Sequence, residues 1–309
     1  MDSNQKTAWW AIARSEEVGG KKPINADIGD QPIVLWRDNE GIVRALEDRC
    51  PHRRAPLSLG CVRDNGWIQC GYHGWIYEGE TGRLKEIPNM KDKQKFPPLY
   101  RAIRFGVHES GGFVYVNLDA EAAPPAPSTN TTYALSGTVA VALSHQDWLD
   151  ALFDDPNLVL AIRGIGFTPY LMTELHEEQG RLVMERSCQW RLLHWPAPFS
   201  PEFPVTMLTA TDPITGHTDV TLRDADFNEL LRVALAPVPA ARGVTQIRWR
   251  AEIGENRPGW MAKLLGMKDS FAVRPSVDGA ALRVLKPSAS RHGEELRANM
   301  LNKDAVAAA

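Results

Sequence analysis

Cysteine is scarce in this chain: 309 residues hold four, too few for a disulfide framework. Charge of one sign is missing as well, with 35 Lys and Arg against 38 Asp and Glu. Lys21-Lys22 and Arg53-Arg54 are too short to make a basic face, so no nucleic acid partner is expected. No stretch approaches the ~18 apolar residues of a membrane helix, and Met1-Asp2-Ser3-Asn4-Gln5-Lys6 lacks the charged-then-apolar pattern of a signal peptide, so no membrane association is expected. A soluble, cytoplasmic protein is expected, in a compartment where thiols stay reduced. What remains is an ordinary globular composition, 43% hydrophobic and 24% charged, long enough for two cores.

Those two cores divide along the chain. From Pro32 to Leu118 the pattern is of short strands and tight turns. Pro32-Ile33-Val34-Leu35-Trp36 and Ile42-Val43-Arg44-Ala45-Leu46 flank Asp38-Asn39-Glu40-Gly41, while Trp75-Ile76-Tyr77 and Arg83-Leu84 flank Glu78-Gly79-Glu80-Thr81-Gly82. An all-β domain over 1–119 is expected, then an Ala/Pro-rich linker over 120–131. Alternating runs at Arg181 to Arg186, Val205 to Thr209 and Val244 to Arg250 predict an antiparallel sheet within 132–309. Helices are predicted from Gln146 to Ala161 and around Trp260 to Leu285, which makes this second domain α+β.

Two boxes carry the chemistry, Cys50-Pro51-His52 and Cys70-Gly71-Tyr72-His73, each in a Gly/Pro-rich turn. A Rieske-type [2Fe–2S] cluster holds one iron by two thiolates and the other by two neutral imidazoles, so each of two loops must supply one sulfur and one nitrogen. Seventeen residues separate His52 from Cys70, enough for a β-hairpin between the loops. Two Cys and two His also suit tetrahedral zinc, but zinc pairs usually come as Cys-x₂₋₄-Cys and His-x₃₋₅-His rather than mixed. The bland alternative is four buried core residues.

With these boxes, the segments Trp9-Trp10-Ala11-Ile12-Ala13, Leu46 to Ser58 and Phe113-Val114-Tyr115-Val116-Asn117-Leu118 resemble the terminal (alpha) components of the Rieske non-haem iron oxygenases over the whole first third. Respiratory Rieske proteins carry an additional cysteine in each box. Neither box has one here, and Cys61 and Cys188 are expected to be ordinary buried thiols. The resemblance implies a helix-grip catalytic domain after the Rieske domain, with a mononuclear Fe(II) held by two histidines and a carboxylate. The histidines come from an Asp/Asn-x₂-His-x₃₋₄-His segment. In this chain the corresponding stretch, Trp148 to Gly164, offers Asp154 with Asn157 and Ile162, or one residue on, Asp155 with Leu158 and Arg163. Neither register has a histidine. Asp278, in an Asp-x₃-Leu ending, reads either as a remnant of the third ligand or as a solvated helix-start aspartate. Asp155 as N-cap and Pro156 after it predict a helix start. A replacement site built from His145, His176 or His194 with Asp147, Asp150 or Asp278 has no local spacing to support it.

The expectation is therefore a subunit with a working cluster and no mononuclear iron of its own, an electron donor and structural partner to a catalytic paralogue that hydroxylates or demethylates a small, often aromatic molecule. By the resemblance, subunits pack head to tail in trimers, the electron leaves through His73 or His52, and Asp154 or Asp155 bridges to a neighbour. Electrons come from a ferredoxin or flavin reductase. The alternatives are a complete oxygenase with non-standard iron ligands and a ferredoxin-like carrier with a ligand-binding domain. Trp190, Trp195, Phe199 and Trp249 read equally as core or as pocket wall.

Overall fold

In the computed structural model the described residues are 6–88, 90, 96–125, 133, 135–154, 160–162, 165–167, 171–173, 175–192, 202–224, 227–240, 243–253, 282–284 and 295. The chain divides into two compact units, Met1–Thr132 with Val238–Arg242, and Tyr133–Pro237 with Gly243–Ala309.

The first unit is built of three antiparallel sheets. β1 (Trp10–Arg14), β10 (Phe113–Asn117) and β9 (Gly106–Ser110) form one; β2 (Ile24–Ile28), β3 (Gln31–Arg37) and β4 (Val43–Glu47) form another. The third runs β5 (Cys61–Val62), β6 (Ile68–Gln69), β7 (Ile76–Tyr77), β8 (Leu84–Glu86). Strand β3 organises them. Its apolar run Ile33-Val34-Leu35-Trp36 is fully buried, and successive side chains point to opposite faces. Ile33 and Leu35 enter a core with Trp10, Ile12, Val114 and Val116, whereas Val34 and Trp36 enter a second core with Leu46, Leu57, Ile68 and Tyr77. That second core also contains Cys50 and Cys70. The Trp36 indole N–H donates to the Gly66 carbonyl at 2.9 Å, which ties the β5–β6 turn to it.

The second unit is one large sheet. Its order is β11 (Leu135–Val141), β20 (Val244–Ile253), β19 (Glu229–Ala240), β18 (Thr218–Asp224), β17 (Glu202–Thr211), β16 (Arg181–Leu192), β13 (Ile165–Phe167). Strand β16 also pairs with β14 (Leu171–Met172) and β15 (His176–Glu178). Among the described residues one long helix, α1 (His145–Asp154), packs on this sheet. Its Trp148, Leu149, Leu152 and Phe153 recur at helical spacing and join Val220, Val233, Ile247 and Trp249 in the core. The Ser144 hydroxyl accepts the Asp147 amide at 3.1 Å as N-cap. At the other end the buried Arg186 guanidinium donates to the Phe153 carbonyl at 2.8 Å, placing positive charge where the helix dipole is negative.

The helix predictions need correcting. The helix expected to run from Gln146 to Ala161 ends at Asp154, and Leu160–Ile162 is strand β12, paired with β21 (Leu282–Val284). That pairing also makes the end of the supposed Trp260–Leu285 helix extended; its other residues, with Asp155 and Pro156, lie outside the described residues. The start signal that operates is Ser144 with Asp147, ahead of Asp155-Pro156. No helix among the described residues is long and apolar enough to cross a membrane.

Two histidines of this unit give it a pH limit. His145 donates Nε2–H to the Thr215 carbonyl at 2.7 Å. Burial lowers its pKa from the ordinary 6.5, against the opposing pull of that carbonyl and of Asp212. Burial lowers His217 likewise, against Asp219 and Asp212 and with Arg181. The unfolded chain therefore binds protons that the folded chain refuses, and stability is full above about pH 6.5 and falls as pH drops below it. Urea midpoints measured across that range should show the fall, and His217→Gln should make the acid limb shallower.

Candidate metal centre

The two Cys/His loops share one main-chain frame. In the first, the Cys50 amide donates to Ala55 O (2.8 Å) and the Arg54 amide donates to Cys50 O (2.7 Å). In the second, Cys70 N–H donates to Trp75 O (2.9 Å) and Gly74 N–H to Cys70 O (3.0 Å). The same two bonds, at the same offsets, close both loops. The residue four after each cysteine is left-handed, Gly74 at φ 71° and Arg54 at φ 60°. Glycine takes that conformation freely, whereas arginine there costs on the order of 1 kcal/mol. Arg54 is held by Glu47, whose buried carboxylate accepts from its guanidinium at 2.9 and 3.2 Å. Beside it, Asp48 accepts both the amide and the hydroxyl of Ser58, at 2.7 and 2.6 Å. A hairpin, β5–β6, does connect the loops.

The frame turns the donors inward in pairs. Cys50 and Cys70 are both 2% exposed, unbridged, and within hydrogen-bonding reach of each other. The Cys70 contact and the buried Tyr77 hydroxyl, 3.2 Å from Cys50 Sγ, favour the Cys50 thiolate, as do the amides of His52 and Arg53; burial opposes them, and the thiol falls to about 6. The same contact and burial push Cys70 up, although the Tyr72 and His73 amides point at its sulfur. Burial, then Cys50, raises Tyr77, so its hydroxyl keeps its proton. The imidazoles of His52 and His73 lie 4.8 Å apart. His73 is exposed, with Tyr72 3.8 Å from it, whereas His52 is half-buried beneath Trp75, stacked at 4.3 Å and 2°. Trp75 in turn takes the edge of Tyr100 at 5.2 Å.

Sulfur beside sulfur and nitrogen beside nitrogen suits a two-iron cluster with one iron per pair, whereas one zinc needs all four donors on a single point. His52 Nδ1 is buried with no hydrogen-bond partner among the described residues, an arrangement that costs about 1–3 kcal/mol unless something binds it. A metal would. The residues present thus fit the cluster.

Residues 8–97 match the family model described as the Rieske [2Fe-2S] domain. That match covers less than a third of the chain. Over 119 residues the chain is 38% identical to the chloroplastic protein TIC 55 of Arabidopsis thaliana, covering 38% of this chain and 22% of that protein. Over 122 it is 42% identical to a vanillate O-demethylase oxygenase subunit of a Pseudomonas species, covering 39% and 32%. The matched region thus spans about a fifth to a third of these curated relatives. In structure, dicamba monooxygenase bound to 3,6-dichlorosalicylic acid superposes with a TM-score of 0.65 at 18% identity, over 99% of both chains. The chain therefore has an N-terminal all-β Rieske domain followed by the largely antiparallel, helix-bearing fold of a Rieske oxygenase.

In the second unit the residues named from the sequence are scattered. His145 is buried at the start of α1, Asp147 and Asp150 lie further along it, and His176 is exposed in β15. Asp154 ends the helix. Ile162 pairs with Leu282 across β12–β21, four residues past Asp278. Asp155, Asn157, Leu158, Arg163, His194, Trp195, Phe199 and Asp278 lie outside the described residues, as do the side chains of Cys188 and Trp190. Trp249 is a core residue. Cys61, expected to be buried, is exposed, because the two-residue strand β5 leaves it at a rim with its Sγ 3.9 Å from Gln69 Oε1. Sequence reasoning missed Tyr77, Trp75 and Glu47 as site residues; the one available signal was the pair of aromatics, Trp75 and Tyr77, in the run Gly74-Trp75-Ile76-Tyr77 that follows the second box.

Tyr77→Phe removes the O–H donor from Cys50 and with it some stabilisation of the reduced, more negative cluster. The potential should fall by about 40 mV, the equivalent of ~1 kcal/mol for one electron, with the visible spectrum retained. Protein-film voltammetry measures this.

Proposed function

We propose that Cys50, His52, Cys70 and His73 hold the Rieske [2Fe–2S] cluster, the cysteines on one iron and the histidines on the other, and that the chain is an electron-transferring subunit of an oxygenase. The donor pairing, with His52 Nδ1 buried and unpartnered by protein, is the observation that supports this. Bound there, the cluster supplies one-electron transfer. The chain's own residues do the rest. Tyr77 and the amides of His52, Arg53, Tyr72 and His73 neutralise sulfur charge, Trp75 covers His52, and the exposed His73 is the side chain through which an electron leaves. Cys70→Ser should abolish the visible absorption and the anisotropic EPR signal of the reduced protein. Persistence of both unchanged would show the ligand set to be wrong.

The proposal extends to the second unit. The chain lacks its own mononuclear iron, since no histidine occurs between Asp154 and Gly164. It works in the cytoplasm in a trimeric or doubly trimeric hetero-oligomer with a paralogue that carries the intact segment, and Asp154 or Asp155 is the bridge toward a neighbouring cluster histidine. Head-to-tail contacts are heterologous, so active and inactive subunits share a ring without a new interface. Substrates are small and aromatic, as the vanillate of the similar demethylase subunit is. The reading of a complete oxygenase with non-standard ligands is favoured by one observation, the retention of the oxygenase fold with β12 and β21 paired. Iron analysis decides: the cluster alone gives two irons per chain and a mononuclear site a third. We expect two, no oxygen uptake above background by the isolated protein, and turnover on co-expression with the paralogue. A third iron, or a homotrimer indifferent to the paralogue in native mass measurement, refutes the subunit model.

A further inference from the structure

The Rieske unit has a second feature that the cluster does not use. A surface cavity of about 390 Å³ is lined by Arg83, Leu84, Lys85, Phe96, Pro97, Pro98 and Arg101. Among the described residues its charged lining is of one sign, two guanidiniums and one ammonium. Lys85 is shared, with Glu78 Oε2 at 3.3 Å and the Trp67 ring at 5.2 Å, whereas Arg83 and Arg101 are exposed. Beside them Leu99 is 82% exposed on the turn Pro98–Tyr100. An apolar tip with a cationic rim, on a chain whose net charge is −3, selects an acidic partner locally. Such a contact is small, as electron-transfer encounters are.

What lies behind the face decides its use. Tyr100, between Leu99 and Arg101, stands edge-on to Trp75 at 5.2 Å, and Trp75 stacks on His52 at 4.3 Å. Three rings in contact lead from the surface turn to a cluster imidazole. Tunnelling decays exponentially with the gap, and packed rings leave little gap.

We propose that this face docks an acidic electron-donor protein, which engages Arg83, Lys85 and Arg101 by charge and Leu99 by apolar contact, and that its electron enters through Tyr100, Trp75 and His52. This rests on the cluster assignment above. The donor is oxidised by one electron and this chain's cluster reduced by one, with no bond made or broken. Entry through His52 and exit through the exposed His73 then use different imidazoles.

The probe is a reduced plant-type [2Fe–2S] ferredoxin, acidic and low enough in potential for transfer to a Rieske cluster to be downhill. Binding of the oxidised pair is read by calorimetry and transfer by stopped flow, both on the holoprotein. In the parent, rate and affinity should fall as salt is raised. The combined Arg83→Glu, Lys85→Glu, Arg101→Glu variant should lower both by about tenfold or more at low salt and flatten the salt dependence. Tyr100→Leu should slow transfer while binding persists. An unaltered absorption spectrum and dithionite reduction show that a variant is folded, and Arg83→Gln with Arg101→Gln supplies a milder one. Equal rates and affinities in parent and charge-reversed protein overturn the proposal. So does loss of DNA binding on reversal with electron transfer intact, which marks a general polyanion site. A parent protein that dithionite cannot reduce fails earlier, at the cluster assignment.

Discussion

Two loops can hold one metal centre between them only if their main chains nearly touch, and here that approach falls at Gly60 and Gly71. A Cβ on Gly60 would lie 1.8 Å from the Gln69 carbonyl oxygen, and one on Gly71 would lie 2.7 Å from that of Leu59. Both clashes are with backbone, which cannot swing aside. The rest of the site follows from this contact. The turn Leu57–Leu59 is anchored by buried Leu57 and by Asp48 on Ser58, so the first loop is fixed from below; the second rides on the β6–β7 hairpin. With the loops locked edge to edge, the cysteines face each other in the core that contains Trp36 and Tyr77, and the histidines face each other above it.

Much of this was legible in the sequence because it is local. The mixed Cys/His boxes, the turn residues between strands and the apolar run Ile33 to Trp36 each act within a few residues. The partners of the site did not show. Trp75 reaches His52, and Glu47 reaches Arg54, only once separate loops have been brought together. Cys61 misled because cysteine is usually buried, and a two-residue rim strand overrides that preference. The helix prediction failed at its far end for a tertiary reason. Asp155-Pro156 is a good start signal in isolation, but Ser144 caps the helix earlier, Arg186 holds the Phe153 carbonyl at its end, and pairing with β21 draws Leu160–Ile162 out straight.

The second unit rests on packing. Its large sheet and packed helix depend on Trp148, Leu149, Leu152 and Phe153 meeting the strand residues of one core, and none of these is a metal ligand. Such packing can persist while ligand positions drift, since a scaffold answers to volume and periodicity, whereas a metal answers to particular donor atoms.

The equivalence of the two loops has a consequence of another kind. Each loop is closed by the same two main-chain bonds at matching offsets, with His52 two residues and His73 three residues after the cysteine. Those closing bonds do not involve the histidine side chains that the loops carry. The pair of loops is a socket, and the one-residue offset between the histidines sets one imidazole under Trp75 and leaves the other at the surface. Repositioning a donor by a single residue within such a socket would change which side of the centre meets solvent while the fold around it stayed as it is.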